Sequence, residues 1–163
     1  MHLSKSEIFN LLNTIPDPEI PVINIVELGV IRDVIINNDN SVIIELTPTY
    51  SGCPAIKQME NDIKSKLSEH NISTITIKYK YNPPWTTDWL TDDAKLKLQN
   101  YGIAPPQEKT SDKSFLTGIS KKIICPRCKS INTNLVSQFG STACKALYKC
   151  NNCLEVFDYF KCI

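Results

Sequence analysis

Two cysteine pairs, Cys125-Pro126-Arg127-Cys128 and Cys150-Asn151-Asn152-Cys153, lie 21 residues apart in the last third of the chain. That is the ligand spacing of a zinc ribbon. Each pair presents two thiolates from one tight turn, and closing the turns on each other makes the tetrahedral sulfur cage that a structural Zn2+ prefers. Four sulfurs leave no coordination position for a substrate, so Cys125, Cys128, Cys150 and Cys153 are expected to hold the fold rather than to catalyse. A segment this short buries too little core to fold alone, and zinc would supply on the order of 10 kcal/mol.

Outside the pairs, Cys53 is the thiol of most chemical interest. Thr47-Pro48-Thr49-Tyr50-Ser51-Gly52-Cys53-Pro54 runs from a strand end into a helix start. Free amides and the helix dipole there favour a thiolate, so Cys53 is expected to be acidic, nucleophilic and able to bind iron, with a buried small hydrophobe as the bland alternative. Asp17 and Glu19 flank Pro18, whose ring holds both carboxylates on an extended loop, as oxygen donors or as solvated surface. Cys144, beside Lys145, and Cys162, one residue from the end, are auxiliary thiols, for which silent packing is the first reading. His2 and His70 are the only histidines, both peripheral, so no Ser-His-Asp arrangement is available. No glycine-rich phosphate loop is present.

The elements that would position these groups follow from periodicity. Ser4 and Glu7 make a capping box, and Ile8, Leu11, Leu12 and Ile15 recur at helical spacing, which predicts a helix from Ser4 to about Thr14, stopped by Pro16. Two β-branched runs, 30–36 and 42–47, joined by Asn37-Asn38-Asp39-Asn40, predict a hairpin. Ile56, Met59, Ile63 and Leu67 share one face of a second helix from Pro54 to His70. In 74–81, Ile75, Ile77, Tyr79 and Tyr81 alternate with polar residues, a strand with one buried face. Helix, strand, strand, helix, strand builds a small α+β sandwich. A third helix, from Thr91 to about Tyr101, should end at Gly102, and Trp85 and Trp89 before it read as a local hydrophobic clamp. The proposed organisation is a domain over 1–103, a linker over 104–120 and a zinc ribbon over 121–163.

Charge divides the same way. Residues 1–103 carry 9 basic and 13 acidic groups, and residues 104–163 carry 9 and 4. The imbalance favours docking of the ribbon on charged partners. No apolar run approaches the roughly 18 residues of a membrane span. The chain opens without a charged segment followed by an apolar core, so its seven cysteines are read as those of a reducing cytoplasm.

Two segments together carry a resemblance: Asp17-Pro18-Glu19-Ile20-Pro21 through Glu27-Leu28-Gly29-Val30-Ile31, and Thr47 to Pro54. They resemble the domain of SufT-type iron–sulfur assembly factors. Phe139-Gly140-Ser141-Thr142-Ala143-Cys144-Lys145, the second cysteine pair and Phe157-Asp158-Tyr159-Phe160-Lys161 narrow this to the PaaD family of phenylacetate degradation, over nearly the whole chain. The resemblance implies an accessory component of the ring 1,2-phenylacetyl-CoA epoxidase system, not itself catalytic. Its partners would be the flavin and iron–sulfur reductase and the di-iron oxygenase. It implies a transient iron or iron–sulfur cargo at Cys53, Asp17 and Glu19, and zinc at the four ribbon cysteines. One departure stands out: the chain reads Lys161-Cys162-Ile163 where the family pattern has Cys-His.

A single thiolate cannot hold a complete cluster, which wants four cysteine ligands, so Cys53 would need a second chain, a neighbouring cysteine or the client. A homodimer would bring two Cys53 thiolates together. The competing class is a non-catalytic adaptor whose ribbon holds oxygenase subunits together, with Cys53 merely buried. A nucleic-acid-binding ribbon is the third, resting on Lys121, Lys122, Arg127, Lys129, Lys145 and Lys149 around the cysteine pairs. A thioredoxin-like oxidoreductase ranks last, because zinc accounts for both Cys-x-x-Cys pairs.

Overall fold

A computed structural model describes residues 3–107 and 122–161. The chain divides into two compact units, residues 1–85 and 86–163.

The first unit begins with α1 (Lys5–Leu12), and its start is fixed by the expected reciprocal cap. The Glu7 amide donates to Ser4 Oγ at 3.3 Å, and the Ser4 amide donates to Glu7 Oε2 at 2.7 Å. Ile8 and Leu12 face inward. β1 (Ile31–Ile36) and β2 (Val42–Leu46) pair antiparallel around the asparagine-rich turn, in which Asn40 takes the left-handed conformation at φ 67°. α2 (Ala55–Ser68) then crosses over to β3 (Ile75–Tyr79), which runs parallel to β2, so that β2 is central in the order β1-β2-β3.

Alternation on the central strand buries Val42, Ile44 and Leu46, and the four-residue spacing of Met59, Ile63 and Leu67 on α2 buries a matching stripe. α1 packs on α2 and β1, and α2 on β3, so both helices cover one face of the sheet as expected. Each large side chain in this layer contributes roughly 2 kcal/mol by leaving water.

The third strand departs from expectation. Ile75 and Ile77 are only half-buried, and Tyr79 and Tyr81 are exposed at 38% and 62%. β3 is an edge strand that ends at Tyr79, and among the described residues no further strand pairs with it. Tyr79 instead donates its hydroxyl to Glu60 Oε2 on α2 at 2.9 Å. Trp85 is buried, with Nε1 donating to the Leu28 carbonyl at 2.9 Å. Its role is thus an anchor within the first unit.

The second unit opens with a 3-10 turn at Thr87–Trp89 and then α3 (Asp92–Tyr101). Thr91 Oγ1 accepts from the Ala94 amide at 3.1 Å, and Gly102 ends the helix at φ 94°, a left-handed position that glycine takes without a Cβ clash. The strands β4 (Thr133–Ser137), β5 (Lys145–Cys150) and β6 (Val156–Phe160) form an antiparallel meander. Ala104 joins the edge of β6. Its amide donates to the Asp158 carbonyl at 2.8 Å, and its carbonyl accepts from the Phe160 amide at 2.9 Å. The core here is Ala104, Ile123, Ala146, Tyr148, Phe157 and Tyr159 with two of the cysteines. Most of the expected linker, residues 108–120, lies outside the described residues, as do Cys162, His2 and Lys121. Among the described residues no helix is long and apolar enough to cross a membrane.

Candidate functional site

The second unit brings the two cysteine pairs together. In the first turn the Cys125 carbonyl accepts from the Lys129 amide at 3.0 Å, and in the second the Cys150 amide donates to the Glu155 carbonyl at 2.8 Å. Lys129 and Leu154, each following the last cysteine of its pair, both adopt φ 64°, so the two turns share one geometry. Cys125 Sγ lies 3.7 Å from Cys153 Sγ, and Cys128 Sγ 3.5 Å from Cys150 Sγ, with all four sulfurs within 4.8 Å of one another. A tetrahedron built on Zn–S bonds of about 2.3 Å has edges of about 3.8 Å, so the four sulfurs fit that ion.

Proton affinity in the cage is uneven. Donation from the Cys153 and Asn152 amides holds the Cys150 thiol down to about 6. The Glu155 amide pulls on Cys153 in the same sense, but burial and the facing sulfurs outweigh it and push that thiol up to about 12. Four thiols in such contact must share protons, which a metal ion would displace.

Side chains that sequence reasoning missed tie the turns together. Asn132 Nδ2 donates to Asn152 Oδ1 and Asn151 Nδ2 donates to Asn132 Oδ1, both at 3.0 Å, and Arg127 pairs with Glu155. Cross-turn amide contacts have no periodic signal. Arg127 is therefore engaged, Lys129 Nζ donates to the Pro126 carbonyl at 2.8 Å, and Lys145 is buried. Lys145 is thereby withdrawn from the basic patch, while Lys122, Arg127, Lys129 and Lys149 stay exposed.

Cys53 sits where expected, immediately before α2 and off the carboxyl end of β2, but its electrostatics differ from expectation. The residue is 6% exposed. Burial pushes its thiol above the ordinary value and the charge of Glu19 adds to this, while the Ala55 amide and the Thr49 and Tyr50 side chains pull down without prevailing. The helix-start amide does reach the sulfur, as the sequence implied. The correction is that the resting group is a protonated thiol, because desolvation of the thiolate outweighs those donors.

Glu19 acts on Cys53 through its charge. Asp17 is neither solvated nor simply available: it is 4% exposed and Oδ1 accepts from the Glu19 amide at 2.9 Å and the Ile20 amide at 2.6 Å. Its own amide donates to the Ile23 carbonyl at 2.9 Å. Asp17 thus shapes the turn that carries Glu19.

Cys144 is buried, 3.0 Å from Thr142 Oγ1, in the loop between β4 and β5. Nearby, Lys145 lies 3.9 Å from Asp158, and Lys161 Nζ donates to the Gln138 carbonyl at 2.8 Å and stands 4.7 Å from the centre of the Phe139 ring. Cys144 thus belongs to a packed polar cluster, apart from the four-sulfur cage.

With this geometry in view, the chain matches the family model described as "PaaD zinc beta ribbon domain" over residues 109–161 and the model "Iron-sulfur cluster assembly protein" over residues 5–72. It is 46% identical over 96% of its length, and 92% of the relative's, to an Escherichia coli (strain K12) protein named as one of the subunits of a "Putative 1,2-phenylacetyl-CoA epoxidase". It is 33% identical to the Bacillus subtilis (strain 168) Fe-S protein maturation auxiliary factor YitW, across 58% of this chain and 92% of that one. A solved structure from Bacillus anthracis, titled as a domain of unknown function DUF59, superposes with a TM-score of 0.54 at 31% identity, covering 58% of this chain and 90% of that one.

Proposed function

We propose, from the premise that this chain belongs to the PaaD family, that it is an accessory component of a phenylacetyl-CoA epoxidase system which hands iron or an iron–sulfur cluster to a client subunit. The reading keeps an assembly domain over 1–103 and a ribbon over 121–163 with a linker between, although α3 groups with the ribbon strands in the second compact unit, and it assigns the protein to the cytoplasm. The clients would be the reductase and the di-iron oxygenase. Zn2+ held by Cys125, Cys128, Cys150 and Cys153 would be structural, closing the ribbon without taking part in transfer.

The observation that carries the transfer reading is the thiol at the head of α2 with a carboxylate acting on it, in a chain related to a named Fe-S maturation factor. A buried protonated thiol suits a carrier. Cargo must displace the proton, which weakens the hold at neutral pH and lets a client that offers more thiolates take the metal away. Cys53 provides the sulfur ligand, Glu19 the nearby negative charge, and Asp17 the turn that holds Glu19 in place. A second copy of the chain facing the first would add a second Cys53.

Replacing Cys53 by serine is expected to abolish epoxidase maturation in cells while leaving the fold and the zinc content intact. The depth of Cys53 burial also favours the adaptor reading, in which the ribbon holds oxygenase subunits together. Full epoxidase activity with Cys53→Ser, together with loss of subunit co-purification on ribbon deletion, would decide for the adaptor.

A further inference from the structure

Of the two edges of the first unit's sheet, one is blunted and one is not. β1 carries a bulge between Ile31 and Asp33, a device that interrupts further pairing. β3 runs in unbroken register against β2 from Ile75 to Tyr79. The Val42 amide donates to the Thr74 carbonyl at 2.9 Å, and the Lys80 amide donates to the Leu46 carbonyl at 2.8 Å. The even-numbered residues therefore spend their backbone groups on β2, and alternation turns the amides and carbonyls of Ile75, Ile77 and Tyr79 outward. Among the described residues no strand takes them up. An open edge of this kind is a template for another chain.

The side chains beside this edge select the strand that fits it. Ile75, Ile77 and Tyr79 lie on the face that α2 covers, with the Tyr79 ring stacked on Tyr81 at 6.3 Å. Thr76 and Lys78 stand exposed on the other face, and Lys80 is drawn back to Glu45 on β2. Consider a second copy of β3 set antiparallel about a two-fold axis at Ile77. Ile77 then meets its own copy, Ile75 meets Tyr79, Thr76 meets Lys78 and Thr74 meets Lys80. All three outward residues exchange both backbone bonds, an apolar stripe continues across the junction, and no lysine faces a lysine. Moving the axis to Lys78 sets that lysine against its own copy, and moving it to Thr76 puts Tyr79 opposite Ser73, ahead of the strand. The register centred on Ile77 satisfies both the backbone and the charges, and it is self-complementary, as a symmetric dimer requires.

We propose that β3 is the pairing edge of a homodimer, in which two copies join their sheets in the order β1-β2-β3-β3-β2-β1. The two-fold axis reverses one β2 relative to the other, so the two Cys53 loops lie at opposite ends of the joined sheet. This pairing is therefore separate from one that would bring two Cys53 thiolates together, and it stands whether or not Cys53 carries iron. A single strand pair is a small contact, so a dissociation constant on the order of 100 μM is expected.

The test uses the full, zinc-loaded chain under reducing conditions, in sedimentation equilibrium from about 10 μM to about 1 mM. Wild type should pass from monomer to dimer across this range. Thr76→Lys sets two like-charged pairs across the junction against Lys78 and should weaken dimerisation about fivefold, whereas Thr76→Glu sets two opposite-charged pairs there and should tighten it about fivefold. Thr76 is exposed, so neither change disturbs the core. Amide hydrogen exchange locates the contact: Ile75, Ile77 and Tyr79 should gain protection at the high concentration, while Thr76 and Lys78, already bonded to β2, should not change. A wild type that stays monomeric throughout overturns the proposal. So does a shift in the same direction in both Thr76 variants, or a dimer in which the Ile75, Ile77 and Tyr79 amides exchange as fast as in the monomer.

Discussion

Asp17 offers the sharpest separation of a structural from a ligating carboxylate. Its Oδ1 accepts from two amides, Glu19 at 2.9 Å and Ile20 at 2.6 Å, on a residue 4% exposed. Asp17→Ala removes both acceptor contacts and strands two donors. At about 1.5 kcal/mol per charge-assisted bond, the turn should lose about 3 kcal/mol. Asp17→Asn keeps an oxygen at Oδ1 and loses only the charge, so about 1 kcal/mol is expected. Hydrogen exchange at the Glu19 and Ile20 amides reads this locally. Exchange should rise about 100-fold in Asp17→Ala and about fivefold in Asp17→Asn. Exchange within threefold of wild type in Asp17→Ala would refute the turn-forming role. If Asp17→Asn keeps its protection and still fails in maturation under iron limitation, the carboxylate is a ligand in its own right.

Two further outcomes follow from the rest of the molecule. Removing zinc with a chelator, or replacing Cys128 by serine, should melt the sheet of β4, β5 and β6, because on the order of 10 kcal/mol of metal binding stabilises so small a core. Circular dichroism with zinc release counted at one per chain checks this, and a folded ribbon without metal would contradict it. Glu60 is held down to about 2, first by Lys64 and then by Tyr79. A depressed carboxylate contributes stability above the unfolded value of 4.5 and loses it as pH falls from there through about 2. With Lys57 largely and Lys64 partly in solvent, the contribution should be only about 1 kcal/mol. Comparing denaturant midpoints at pH 7 and pH 3 should therefore show a shallower acid loss in Glu60→Gln than in wild type, and equal slopes would mean that Glu60 plays no such part.

Local signals were readable wherever neighbours in sequence decide the outcome. The Ser4–Glu7 cap, the apolar stripe of α2, the left-handed Gly102 and the pairing of the four ribbon cysteines all depend on spacing within one element or one turn. Each of the remaining features depends on what packs from elsewhere. Tyr81 alternates correctly but lies past the end of an edge strand, so its face is never covered. Asp17 looked like loop surface because the return of the chain at Ile23 that buries it is invisible to periodicity. For Cys53 the helix-start amide was legible, and the desolvation that outweighs it was not. Lys145 read as part of a basic patch, although Asp158 from β6 meets it in the interior.

The central claim is that Cys53 passes iron to the epoxidase. Its most direct test is the iron and acid-labile sulfide content of the reductase, and the iron content of the di-iron oxygenase, purified anaerobically from cells expressing wild type or Cys53→Ser at matched levels. A fall in iron in at least one of these subunits is expected in the variant. Full iron and sulfide in both, whatever the activity of the assembled system, would contradict the claim.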